Sequence, residues 1–153
     1  PLTLRDDGEI FALRSDAAVN RYLGRKPSGS IAEARDFILA IQENVRRNES
    51  LYWAIAFTGT DPLVGTICLF GFSDDPSKAE IGYELLPGFQ GKGIMQEALS
   101  AVIAYATGPL GLHSIEAGTH PDNQGSTRLL EKSGFQRQGA DEDFLIYRFT
   151  ATP

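Results

Sequence analysis

The chain has 153 residues, 42% hydrophobic and 22% charged, and a formal net charge of −6. That length fits one domain whose core is large enough to fold without staples. The acidic balance argues against a nucleic-acid partner, which is bound by neutralising phosphate, and no apolar run nears the roughly 20 residues that span a bilayer. A single cysteine excludes an internal disulfide. Cys68 lies in Thr66-Ile-Cys-Leu-Phe70, where no helix start or basic neighbour adjoins it to make a reactive thiolate, so a small buried apolar role is expected. With no signal-peptide pattern, the expected location is cytoplasmic, with no membrane partner.

In chain order, residues 2–5 read as a short strand. Asp6-Asp7-Gly8-Glu9 opens a short helix carrying Ile10, Phe11 and Leu13. A second helical piece covers about 16–23, with Val19, Tyr22 and Leu23 apolar, and 24–29 is a turn-rich loop. Ser30-Ile-Ala-Glu33 has the form of a capping box. Behind it Ile31, Ala34, Phe37, Ile38, Ile41 and Val45 mark a long amphipathic helix. Residues 51–58 and 63–72 form a hairpin pattern around Gly59-Thr-Asp-Pro62. A strand at 113–118, a helix at 126–132 stopped by Gly134 and a final hairpin of 135–138 with 143–149 complete the chain. The order is helices, then antiparallel strands, then a strand–helix–strand unit. It predicts a mixed α/β domain, one sheet with helices on both faces.

The stretch that carries chemistry is 79–98, A-E-I-G-Y-E-L-L-P-G-F-Q-G-K-G-I-M-Q-E-A. Residues 79–86 read as a strand and 87–93 as a turn with three glycines. From Ile94 the apolar residues recur at 94, 95, 98, 99, 102 and 103, a helical stripe. The first N–H groups of a helix lack helical partners and carry the positive end of the dipole. Glycines just before them let a phosphate approach, and Lys92 adds a mobile positive charge. Neither G-x-x-x-x-G-K-[ST] nor a complete G-x-G-x-x-G is present.

Gln90-Gly91-Lys92-Gly93-Ile94-Met95 resembles the pyrophosphate loop of the GNAT superfamily of acyl-CoA-dependent N-acetyltransferases, Gln/Arg-x-x-Gly-x-Gly/Ala. Met95 stands where a small residue is usual. Ala79-Glu80-Ile81-Gly82-Tyr83 and Gln96-Glu97-Ala98-Leu99 resemble the RimJ/RimL-like branch. The resemblance covers nearly the whole chain. It implies a mostly antiparallel sheet splayed at its central strand, in a single domain over 1–153. It also leads to the expectation of a further native strand ahead of Pro1.

The activity implied is transfer of an acetyl group from acetyl-CoA to an amine, directly and without a metal. The acceptor would be a small molecule or a peptide or protein N-terminus, and the enzyme a monomer or homodimer. On this likeness Gln90, Gly91, Lys92, Gly93, Ile94 and Met95 hold the pyrophosphate. Leu85 and Leu86 pair with the pantetheine arm as a strand edge would, and Asn123, in Asn123-Gln-Gly-Ser126, hydrogen-bonds that arm. Glu84 and Glu80 alternate onto one strand face and are the candidate bases. Ser126 is the candidate donor to the departing sulfur, although Asn and Ser are also ordinary helix caps. Tyr147 is an alternative acid, although a tyrosine in a C-terminal strand is more often core. His113 and His120 lack metal-ligand spacing. The rival reading is a non-catalytic acyl-CoA-binding or protein-interaction domain of the same fold.

Overall fold

The computed structural model describes residues 2–21, 23, 25, 27–57, 62–74, 77–141 and 144–151. Among these residues six strands form one sheet: β1 (Ser50–Ile55), β2 (Gly65–Asp74), β3 (Ser77–Leu85), β4 (Ser114–Thr119), β5 (Gln136–Asp141) and β6 (Phe144–Thr150). Their order across the sheet is β1-β2-β3-β4-β6-β5. Every neighbouring pair is antiparallel except β3 with β4, which is parallel. A parallel pair needs a long crossover, and α4 (Ile94–Thr107) supplies it. The remaining helices are α1 (Asp7–Ser15), α2 (Ala17–Asn20), α3 (Ile31–Arg46) and α5 (Gln124–Lys132). The mixed α/β, mostly antiparallel architecture read from the sequence is the one observed.

Strand alternation divides the core in two. Ile67, Leu69, Ile81, Leu85 and Ile115 pack with Met95, Leu99 and Val102 of α4 and Leu130 of α5. On the opposite face Tyr52 and Ala54 of β1 pack against Ile10 and Leu13 of α1 and Ala34 and Ile38 of α3. Helices therefore cover both faces, as the apolar stripes require.

Three local details differ from the sequence reading. Residues 2–5 do not form a strand: Leu4–Asp6 is a 3-10 turn. Thr3 Oγ1 accepts from the Arg5 N–H at 3.2 Å, and the Asp6 carboxylate accepts from the Thr3 N–H at 2.9 Å. That closed local cap satisfies backbone groups that a strand would have to pair with a neighbour. The second helical piece ends at Asn20, whose buried Nδ2 donates to the carbonyls of Leu13 and Asp16 at 3.1 and 2.7 Å. In the capping box, Ser30 Oγ accepts from the Glu33 N–H at 3.2 Å, but Glu33 reaches back to the N–H of Gly29 at 2.8 Å rather than to that of Ser30. The turns at 58–61 and 75–76 lie outside the described residues.

The feature that makes a site is a break in the ladder. β3 and β4 pair over three rungs, Lys78 to Glu80 with Ser114 to Glu116, and stop. Both strands continue, β3 still pairing with β2 to Leu85 and β4 with β6 to Thr119. The sheet is thus split in its middle, and β3 presents an open edge over 81–85.

Candidate active site

At the end of β3 the Leu86 N–H donates to the Val64 carbonyl at 2.9 Å. Antiparallel alternation then turns the backbone groups of Leu85 and Tyr83 the other way, toward the split. Gln90 Nε2 donates to the Leu85 carbonyl at 2.9 Å and ties the following loop to the strand end. Gly91 and Gly93 have φ of 76° and 79°, the left-handed region where side chains are costly. Gly93 caps α4. A Cβ built on either glycine meets nothing within 4 Å, so backbone conformation rather than crowding demands them. The Glu97 N–H is the one that bonds the Gly93 carbonyl, at 3.1 Å. The preceding N–H groups of 94–96 are therefore the orphan donors of the helix start. The Met95 side chain turns into the core, 7% exposed, which explains how a large residue is accommodated in this loop.

A cavity of about 570 Å³ lies in the split. Leu85, Gln90, Gly91, Gly93, Ile94 and Met95 form one wall, Asn123, Ser126 and Leu129 of α5 another, and Ala18, Val19 and Leu23 lie across them. Tyr83 and Glu84, which face opposite sides of the sheet, both reach it, because the edge between those sides is open. Arg128 and Lys132 also line it. The sequence reading missed them, although their spacing of four on a predicted helix signals a single basic face beside Asn123. Lys92 is exposed near the Phe89 ring, 5.9 Å from its centroid. Leu86 packs among the α1 and α3 core residues. Neither Lys92 nor Leu86 is among the lining residues.

The two candidate bases separate. Glu84 is in the cavity wall. Glu80 is exposed on the last paired rung, opposite Glu116, with its carboxylate against Gly71, and does not line the cavity. Glu84 is ion-paired with Arg25 Nη1, and Arg25 Nε donates to Asn20 Oδ1 at 2.6 Å. The pair is largely enclosed, with side-chain exposures of 22% for Arg25 and 14% for Glu84. Arg14 stacks on Phe37 with its guanidinium carbon 3.9 Å from the ring centroid. Burial, and then the like charge of Arg25, lower its pKa from the usual arginine value.

On α5, Asn123 Oδ1 accepts from the Ser126 N–H at 3.2 Å, which makes Asn123 the helix cap. Ser126 is buried, and its Oγ lies 2.6 Å from the Tyr83 hydroxyl. Tyr147 is buried and donates to Glu131 Oε1 at 3.2 Å, away from the cavity. Burial pushes the Cys68 thiol up to about 12, so it is a neutral thiol at pH 7. A larger hollow of about 730 Å³ lies between β1 and α4, lined by Trp53, Phe57, Ile94, Ala98 and Tyr105 among others. No β3 residue lines it, so it does not reach the open edge where the polar groups converge.

Comparison with known proteins agrees with this geometry. Residues 1–136 match the family model described as an acetyltransferase (GNAT) domain. The chain is 34% identical over 149 residues to YoaA, an uncharacterised N-acetyltransferase of Bacillus subtilis, covering 97% of this chain and 84% of that one. It is 39% identical over 66 residues to the ribosomal protein uS5-alanine N-acetyltransferase of Escherichia coli, 43% of this chain and 34% of that one. Among solved structures, Mycobacterium smegmatis RimJ in complex with CoA-disulfide superposes with a TM-score of 0.87 at 22% identity, over 99% of this chain and 80% of that one.

Proposed function

The chain belongs to the GNAT family of N-acetyltransferases, and we propose that it moves an acetyl group from acetyl-CoA directly to a primary amine, with a peptide or protein N-terminus as the acceptor. The observation that carries this reading is the cavity in the split sheet, where an open strand edge meets the uncapped N-terminus of α4. The residues fit the donor. The orphan N–H groups at 94–96 and the two open glycines suit a pyrophosphate, and Arg128 and Lys132 suit its further charge. The backbone of Tyr83 and the Leu85 N–H, on the unpaired edge of β3, suit the amides of the pantetheine arm.

Acetyl-CoA supplies an activated thioester; the chain's own groups do the rest. Glu84 takes the proton from the attacking amine, directly or through water. Ser126 donates toward the sulfur as charge builds there. Glu80, on its paired rung, has no comparable access to the cavity. The protein acceptor is supported by the relative named for the alanine of a ribosomal protein. The test is thiol release from acetyl-CoA across a panel of peptides and small amines. We expect release with N-terminal peptides; release with small amines alone would overturn the acceptor, and none with any amine would overturn the activity.

A further inference from the structure

We propose that Tyr83 is a positioning residue of this site: its hydroxyl donates to Ser126 Oγ and so leaves the single Ser126 proton aimed at the departing sulfur. The inference rests on the acetyl-CoA reading above. The sequence gives Tyr83 no role in the site; it stands there only within the 79–83 stretch that resembles the RimJ/RimL-like branch.

The geometry begins with Ser126 itself. A serine inside a helix commonly turns its hydroxyl back to a carbonyl one turn earlier. The neighbouring Thr127 does this, donating to the Gln124 carbonyl at 3.0 Å. Ser126 instead reaches across to β3, 2.6 Å from the Tyr83 hydroxyl. Both residues line the cavity. The capping requirement of α5 is met by Asn123, so Ser126 Oγ is not occupied in holding the helix start.

The direction of the bond follows from acidity. A phenol is a stronger acid than an aliphatic hydroxyl and is therefore the better donor, while serine oxygen has two lone pairs to accept with. With Tyr83 donating, Ser126 accepts from one side and keeps its own proton for another partner. That polarises the serine O–H and strengthens its next hydrogen bond. Burial pushes the Tyr83 hydroxyl up to about 12, so it stays protonated while it does so. In the transfer, the C–N bond forms as the C–S bond breaks, and the electron pair remains on sulfur. The amine proton leaves toward Glu84 or water, and the thiolate takes its proton from solvent after release. Tyr83 and Ser126 supply hydrogen bonds and lose no proton overall.

The experiment uses wild type, Tyr83→Phe, Ser126→Ala and the double variant, each first checked for folding by its melting curve. The primary readout is the ionisation of CoA bound to each protein, followed by the ultraviolet absorbance of the thiolate. A donor pair aimed at sulfur favours the thiolate. Both single variants should therefore weaken the ionisation of bound CoA by about tenfold, one pKa unit, and the double variant should weaken it no further. A merely structural Tyr83 would lower the melting temperature and leave the thiol titration unchanged. The second readout is acetyl transfer, where Tyr83→Phe should lower kcat on the order of 10-fold with the KM for acetyl-CoA nearly unchanged. CoA that binds Tyr83→Phe and ionises as in wild type overturns this inference alone. Failure of CoA to bind the wild type overturns the acetyl-CoA reading and this inference with it. Should Tyr83→Phe fail to fold, Ser126→Ala with unaltered thiol ionisation overturns the inference by itself.

Discussion

Glu84 and Arg25 act as one unit, and a substitution at either is felt by both. Breaking a fully buried ion pair costs about 3–5 kcal/mol because a charge is left unpaired; this pair keeps some solvent contact, so the cost falls below that. Glu84→Gln removes the proposed proton acceptor but keeps an amide oxygen for the Arg25 guanidinium. We expect turnover to fall on the order of 10²-fold, with acetyl-CoA affinity held and only modest loss of melting temperature. Arg25→Gln should do the reverse: it also releases the bond to Asn20 and should cost stability more than rate. Equal turnover in wild type and Glu84→Gln at saturating substrate would remove Glu84 as the base. Glu80→Gln, on the paired rung, should leave turnover near wild type.

At the scale of the elements, α4 and α5 divide the work by how each begins. α4 starts from Gly93 in the left-handed region with its first N–H groups open. Placing a side chain at that φ costs ~1–2 kcal/mol, and an aspartate there would also set a negative charge where the proposed reading puts the pyrophosphate. Acetyl-CoA at 100 times its Kd should stabilise the wild type by about 2.7 kcal/mol. Gly91→Asp and Gly93→Asp should lose that stabilisation while remaining folded. A full ligand-induced shift in melting temperature in Gly93→Asp would show that the loop does not bind the donor. α5 is capped by Asn123, so Asn123→Ala should cost about 1 kcal/mol. Ser126→Ala removes no cap. It takes from the part-buried Tyr83 hydroxyl its Ser126 partner, and since Tyr83 lines the cavity water can replace it, so the penalty falls below the roughly 1–3 kcal/mol of a fully buried unpaired group. The two variants are thus distinguished by kcat rather than by melting.

At the scale of the whole molecule, the sheet holds several ionisable groups neutral by burial, Tyr52, Cys68 and Tyr83 among them. Burial raises the Tyr52 hydroxyl, and pushes the Cys68 thiol and the Tyr83 hydroxyl each up to about 12. In the unfolded chain a thiol loses its proton near pH 8.5 and a phenol near pH 10. The native form holds these protons longer, so the unfolded state is favoured as pH rises. Stability is full below the unfolded values and falls between about pH 8.5 and pH 12. A melting series over that range should show the decline, and Cys68→Ala should delay its onset toward the tyrosine range. A flat melting temperature up to pH 12 would mean these groups are hydrated in the native state.

Local chemistry was legible in the sequence wherever a short stretch decides its own structure. The helical stripe from Ile94, the glycines that set the loop before it, the strand alternation of Glu80, Gly82 and Glu84, and the apolar stripe of α3 all depend on neighbours in sequence. They produced the fold class and the stretch proposed here as the site. The tertiary structure decided what depends on partners far along the chain. The extent of the split is set by where β3 and β4 stop pairing, a matter of two strands held by different neighbours. That break brings Glu84 to the cavity and leaves Glu80 on a paired rung. The ion pair of Glu84 with Arg25 spans 59 positions, and the contact of Ser126 with Tyr83 spans 43. No local pattern encodes such distances, because a side chain's hydrogen-bond partner is fixed by packing across the sheet and not by spacing along the chain.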